Sequence, residues 1–266
     1  MSFFVDVLDL VLPQTCAGCE RRAALLCATC QAFLTGAPVR PAWPERVPAG
    51  LPRPWAAASY DGPVRAAVVA HKERGRTALA EPLGRALARA VRAAAPRAGP
   101  FAVVPVPSTR RSVRARGHDP TWRMAEAAVV ELRAAGAHAG LVRALRHRRK
   151  VADQASLPAG RRAANLAGAL EAVPEAPLAG RTVVLVDDVI TTGATLAEAA
   201  RALRAGGAKV LAAATVAATP RLVRPEPVRG RAAAAFRTLP ALRRFQQAKG
   251  VPDAASRCSP WSAGRS

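Results

Sequence analysis

Apolar residues recur at helical spacing across residues 77–95, where Leu79, Leu83, Leu87 and Val91 are interleaved with Glu81, Arg85, Arg89 and Arg92. That stripe predicts a helix with one buried side. Residues 101–106 are a short apolar run ending beside Pro105 and Pro107, which predicts a strand entering a loop. Residues 121–135 read as helical by composition and spacing. Residues 181–186 predict a buried strand, 195–204 a helix and 209–216 another strand. Strands alternating with helices predict an α/β fold, a mostly parallel sheet flanked by helices. From residue 220 the pattern fails. The tail at 220–266 is basic and is expected to be disordered, with one helical stretch at 232–245 interrupted at Pro240.

Half of the 266 residues are hydrophobic, enough for a sizeable core, which excludes a wholly disordered chain. No run reaches about 18 uninterrupted apolar residues, so no membrane span is expected. The opening residues carry Asp6 and Asp9 and no basic stretch, unlike a signal peptide, and the expected compartment is the cytoplasm. Charge adds more. There are 40 Lys+Arg against 18 Asp+Glu, a net +22, and such a field concentrates nucleic acid, phosphorylated metabolites or an anionic membrane face. The same arginine excess also follows from a GC-rich coding sequence, which the wealth of Ala, Pro and Gly suggests. Aromatic residues make up only 4%, a poor supply for stacking on single strands.

Candidate chemistry lies in two places. Cys16, Cys19, Cys27 and Cys30 follow the spacing Cys-x2-Cys-x7-Cys-x2-Cys, two knuckles whose thiolates can converge on one tetrahedral zinc. Four thiolates close the coordination sphere, so the expected zinc is structural. Disulfides are the alternative, disfavoured in the cytoplasm. Cys258 stands alone in the tail. The expected organisation is a zinc-ribbon module at 1–35, a Pro-rich linker at 36–54, an α/β domain at 55–219 and the tail at 220–266.

The second place is the string from Val183 to Thr195, Val-Val-Leu-Val-Asp187-Asp188-Val-Ile-Thr191-Thr192-Gly193-Ala194-Thr195. A buried strand brings two carboxylates to its C-terminal end, where open α/β sheets bind ligands. A Thr/Gly loop follows and opens a helix, whose free N–H groups can surround a phosphate. Thr195-Leu-Ala-Glu198 reads as a capping box that fixes the helix start, and Gly206-Gly207 supplies the stop. Leu196, Ala200 and Leu203 form the face packed on the sheet. The acids suit vicinal hydroxyls, as on a ribose 5-phosphate. No Walker A pattern occurs anywhere.

This string resembles the 5-phosphoribosyl-1-pyrophosphate (PRPP) motif of type I phosphoribosyltransferases. Around it lie the cysteine pairs, Tyr60-Asp61-Gly62, His71-Lys72 with Gly75, Val104-Pro105-Val106-Pro107-Ser108, Arg116-Gly117, and Gln154, Leu157, Arg162 and Asn165. That order is similar to the ComF family, amidophosphoribosyltransferase-like proteins tied to DNA uptake in natural competence, over roughly residues 8–219. The chain departs from the family's usual Arg-Gly-Phe-Asn-Gln at Arg116-Gly117-His118-Asp119-Pro120. Val151 replaces a common Thr, and Arg161 a common acid.

The resemblance implies a type I phosphoribosyltransferase fold acting on PRPP or a nucleoside 5-phosphate. It makes Asp187 and Asp188 the holders of the ribose hydroxyls. Thr191, Thr192, Gly193, Ala194 and Thr195, with Val186 behind them, become the 5-phosphate cradle. Lys72, Ser108, Arg110 and Arg111 are the candidates for the pyrophosphate, and Asp187, Asp188 and Lys72 the catalytic set. Mg²⁺ is expected with PRPP. Residues 146–165 resemble a loop that closes over PRPP, with Pro158-Ala159-Gly160 as its hinge. The implied partners are a nitrogen acceptor of unknown identity and single-stranded DNA or a DNA-uptake helicase. Three readings stay open at this point: a transferase, a non-catalytic PRPP or nucleotide sensor, and a nucleic-acid-binding module.

Overall fold

A computed structural model of the protein describes residues 15–22, 24–95, 99–148 and 168–220. The tail from 221 and most of the expected closing loop, 149–167, lie outside the described residues. The helices are α1 (Ala28–Thr35), α2 (Gly62–Glu73), α3 (Ala80–Ala94), α4 (Arg110–Arg116), α5 (Pro120–Ala134) and α6 (Ala194–Ala205). The strands are β1 (Arg40–Pro41), β2 (Pro54–Ser59), β3 (Phe101–Pro105), β4 (Ala139–Leu141), β5 (Leu145–His147), β6 (Leu170–Ala172), β7 (Thr182–Ile190) and β8 (Lys209–Ala218). One sheet runs β1-β2-β8-β7-β3-β4, with every pairing parallel except β1 against β2. Strands β5 and β6 form a separate antiparallel pair. The α/β reading holds.

Alternation along the central strands divides the core into two faces. Val103, Val184, Val186, Ala212 and Ala214 pack with α2, α3 and α5, while Ala102, Val104, Val183, Leu185 and Ala213 pack with α6 and the β5–β6 pair. The predicted stripe is the buried face of α3: Leu79, Leu83, Leu87 and Val91 are fully covered. At Gly84 a Cβ would come within 2.5 Å of Ala127, so the missing side chain lets α3 and α5 approach closely.

Two expectations change. The strand read as 181–186 continues to Ile190, because β8 supplies ladder partners for Asp187 (Thr215), Val189 (Ala217) and Ile190 (Ala218). The two acids therefore sit in the strand. The Pro-rich segment is not a bare spacer: Arg40–Pro41 pairs as an edge strand and Leu51 is buried in the α6-side core. The cysteine-bearing turn joins the other face, with Cys16, Ala17, Leu26, Cys30 and Leu34 packed in the same core as Leu83 and Leu87.

Candidate functional site

Parallel topology decides where a crevice opens. From β3 the chain passes through α4 and α5 outward to β4; from β7 it passes through α6 the other way, to β8. The two connections diverge, leaving a gap beyond the carboxyl ends of β3 and β7, the switch point at which open α/β sheets bind ligands. Pro105 pairs with Val186 across this pair of strands, so Asp187 and Asp188 on one side face the segment from Val106 to Thr109 on the other.

Asp188 continues the row of Val184 and Val186 toward α2, and there its Oδ2 accepts a hydrogen bond from Lys72 Nζ at 2.5 Å. The Asp188 side chain is nearly buried, whereas Lys72 keeps about a third of its surface open, as its 37% exposure shows. Burial alone would lower the Lys72 ammonium; the Asp188 and Asp187 carboxylates outweigh it and hold the group above its ordinary range. Burial pushes the Asp187 carboxyl up, with repulsion from Asp188 next and Lys72 opposing, to about 8. Adjacent amides take part of the negative charge: Asp188 N–H donates to Asp187 Oδ1 at 2.8 Å and Val189 N–H to Asp188 Oδ1 at 2.7 Å.

The loop Thr191–Gly193 leads into α6. Gly193 is the N-cap, in the left-handed region at φ +74°, and a Cβ there would lie 2.9 Å from Leu51 Cδ2. Both conformation and space require glycine. The predicted capping box is not formed. Helix α6 begins at Ala194, so Thr195 is already inside it, and Gly193 offers no side-chain cap. Glu198 is instead drawn into the core, 5% exposed, where it accepts from Leu170 N–H and from Arg201 Nε and Nη2. Burial would raise its carboxyl, but Arg201 and the backbone amides of Leu170 and Gly168 hold it below its ordinary range. Glu198 thus ties α6 to β6. The stop is as expected: Gly207 N–H donates to Arg204 and Ala208 N–H to Leu203, the paired bonds of a Schellman ending.

Across the crevice, Ser108 donates to Asp119 Oδ1 at 3.1 Å, and Asp119 caps α5 by accepting from Trp122 N–H. Asp119 and Pro120 therefore suit the start of α5: an aspartate at N-cap and a proline at the first helical position. Arg110 and Arg111 are exposed in the first turn of α4, a helix with four arginines and no buried residue. Arg116 forms a two-pronged bond to Glu73 at 3.0 and 2.7 Å. Lys72 joins the acids, while Ser108 is engaged with Asp119 and the two arginines lie on the opposite rim.

Residue spacing hid one feature. His71 and His118, 47 positions apart, are both buried with ring centroids 5.8 Å apart. His71 immediately precedes Lys72 on α2, so the pair adjoins the lysine's backbone. His147 Nε2 lies 3.0 Å from Pro107 O, linking β5 to the loop after β3.

In the N-terminal module the four sulfur atoms of Cys16, Cys19, Cys27 and Cys30 lie within 4.8 Å of one another. Gly18 and Cys27 N–H both point at Cys16 Sγ, at 3.4 and 3.3 Å. Burial pushes the Cys16 thiol up, but the amides of Cys27, Gly18 and Cys19 more than reverse it, to about 6. Burial and the neighbouring thiols push Cys30 upward. A converging set of four sulfurs with N–H···S bonds fits a four-cysteine zinc ribbon.

A family described as "Phosphoribosyl transferase domain" matches residues 144–230, a segment that contains β7, the Thr/Gly loop, α6 and β8. No curated protein matches. A solved structure described as "Structure of the allosteric regulatory enzyme of purine biosynthesis" is 23% identical, with a TM-score of 0.32, over 55% of this chain and 26% of that one. The chain spans about a quarter of that structure's length. The family match thus falls on the strand, loop and helix that build one wall of the crevice.

Proposed function

We propose that the protein binds PRPP at the β3–β7 crevice and transfers its phosphoribosyl group to a nitrogen acceptor, releasing pyrophosphate. One observation carries the reading: two acids sit in the C-terminal part of a central parallel strand, ahead of a glycine-capped helix start, with a lysine already seated on one of the acids. The family match over the same strand and loop agrees with it.

In this reading the amides at the start of α6 and the Thr191 and Thr192 hydroxyls take the 5-phosphate. Asp187 and Asp188 accept from the ribose hydroxyls. Lys72 leaves Asp188 for a pyrophosphate oxygen, and Arg110 and Arg111 reach the same group from the opposite rim. The C1–oxygen bond to pyrophosphate breaks, a C1–nitrogen bond forms, and the acceptor nitrogen gives up a proton. The work is positioning and charge neutralisation. Mg²⁺, when bound with PRPP, neutralises pyrophosphate oxygens. Calorimetry with Mg²⁺ and PRPP tests binding, and pyrophosphate release with a panel of amines and nucleobases tests turnover. Undetectable PRPP binding by the full chain overturns the reading.

The ComF resemblance supports a role for this activity in DNA uptake. A second reading, contact with single-stranded DNA, draws on α4 and its four arginines without a buried residue. It predicts DNA retention that falls steeply with salt. For the cysteine module we propose one structural zinc on Cys16, Cys19, Cys27 and Cys30. Metal analysis of reduced, purified protein should return one zinc per chain, and its absence would sink this assignment.

A further inference from the structure

His71 and His118 hold each other's elements. His71, in the last turn of α2, places Nε2 3.1 Å from Pro120 O at the start of α5. His118, in the turn between α4 and α5, places Nε2 3.2 Å from His71 O on α2. The Nδ1 atoms face carbonyls near their own positions, Arg76 O at 3.3 Å and Arg116 O at 3.0 Å. A carbonyl only accepts, and a neutral imidazole has one N–H. With both rings protonated at Nε2, both bonds between the elements form. Burial lowers the His71 imidazolium, which favours the neutral ring.

We propose that His71 and His118 are positioning residues, a reciprocal clasp through their Nε2 atoms that fastens the end of α2 to the α4–α5 turn and so sets Lys72 against Asp188. The geometry supports this in three ways. Lys72 is the next residue after His71, so whatever fixes the His71 ring and carbonyl fixes the lysine's departure point. The same turn leads into Asp119, which holds Ser108 on the opposite rim. The clasp therefore spans the two sides between which a pyrophosphate would lie. Arg116 and Glu73 bridge the same elements, but at the surface, with 21% and 49% of their side chains exposed.

This inference rests on the proposed function only for its consequence in binding; the placement of Lys72 is measurable without ligand. The full-length chain is compared with His71→Leu, His71→Gln, His118→Leu and His118→Gln. The Gln variants keep a donor near Nε2. The pH dependence of Lys72 acylation is followed by mass spectrometry, together with calorimetric affinity for Mg-pyrophosphate. The expected result is a Lys72 midpoint lowered toward the ordinary value in the Leu variants and restored by Gln, with affinity falling about tenfold in step. Nitrogen-15 spectra should place the proton of both rings on Nε2. Where His71→Leu does not fold, His118→Leu gives the same reading through the other arm. A folded Leu variant with an unchanged Lys72 midpoint, or Nδ1-protonated rings, overturns the clasp. Wild-type protein that shows the Lys72 shift but binds no pyrophosphate overturns the proposed function and leaves the clasp standing.

Discussion

Helices α4 and α6 start at equivalent places, just past the carboxyl ends of adjacent parallel strands, yet they are built in opposite ways. Helix α6 buries eight of its twelve residues, Glu198 among them, and opens on a glycine pressed against Leu51. Helix α4 buries none of its seven, and its order comes from its ends: Thr109 accepts from Ser112 N–H, and Gly117 closes it in the left-handed region. The contrast follows the two halves of the proposed ligand. A phosphate held by backbone amides needs a frame fixed to within a few tenths of an ångström, which packing supplies. A departing pyrophosphate is met by long cationic side chains, whose reach does not depend on a buried base.

Removing the acids breaks the α6 side most completely. Asp187→Ala/Asp188→Ala should reduce PRPP affinity by about 100-fold or more, since two charge-assisted contacts are lost. Calorimetry measures it, and equal affinity in the double variant would end the assignment of that wall. Next in size is Glu198→Ala, which leaves Leu170 N–H and Arg201 without their carboxylate. Denaturant unfolding should register a loss of about 2–3 kcal/mol. The pH dependence is smaller. Ligand hydroxyls favour an ionised Asp187, whose apo midpoint of about 8 lies above the ordinary 3.8, so binding takes up the carboxylate and releases a proton below that midpoint. Affinity should therefore rise with pH from the acid side and level off near 8, by at most about tenfold per pH unit. A flat profile from pH 6 to 8 would refute that coupling. Stability runs the other way: a carboxyl raised on folding costs stability as pH climbs from its unfolded value through its folded one. Smallest is Arg110→Ala/Arg111→Ala on α4, which should weaken pyrophosphate binding about three- to tenfold at low salt and little at high salt. Unfolding free energy should stay within about 0.5 kcal/mol of wild type, as for solvated surface positions. A large loss of stability there would remove the contrast between the two helices.

What could be read from sequence followed the same division. The stripe through Leu79, Leu83, Leu87 and Val91, the apolar run of β7 and the double glycine after α6 are local patterns, and they hold. So does the convergence of four cysteines whose spacing is regular. Glu198 misled because Thr-x-x-Glu is a cap only if the helix begins at the threonine. The N-cap is instead Gly193, two residues before that threonine, and a buried partner on β6 claimed the carboxylate. Helix α2 has no clean apolar stripe in Gly62–Glu73, and it carries both Lys72 and His71. The pairing of His71 with His118, the bond from Lys72 to Asp188 and the seating of Leu51 on Gly193 join residues 47, 116 and 142 positions apart, and no periodicity records such distances. In the sequence His118 and Asp119 stand out only as departures from the family's motif; the structure gives them work, one inside the proposed clasp and one as a cap.

The place of β8 also has a consequence in time. Residues 209–218 occupy the slot between β2, at residues 54–59, and β7. Of the sheet's strands β8 is the last to be synthesised, yet it is central. Until it arrives, β2 has only the two-residue β1 beside it, and the flank of β7 bearing Asp187 and Asp188 is an open edge. Such late, distant pairing slows folding and leaves apolar strand edges exposed to other chains. A nascent chain halted before residue 209 should therefore be captured by chaperones or aggregate, and the wall of the crevice would be finished only when its final neighbour closes the sheet.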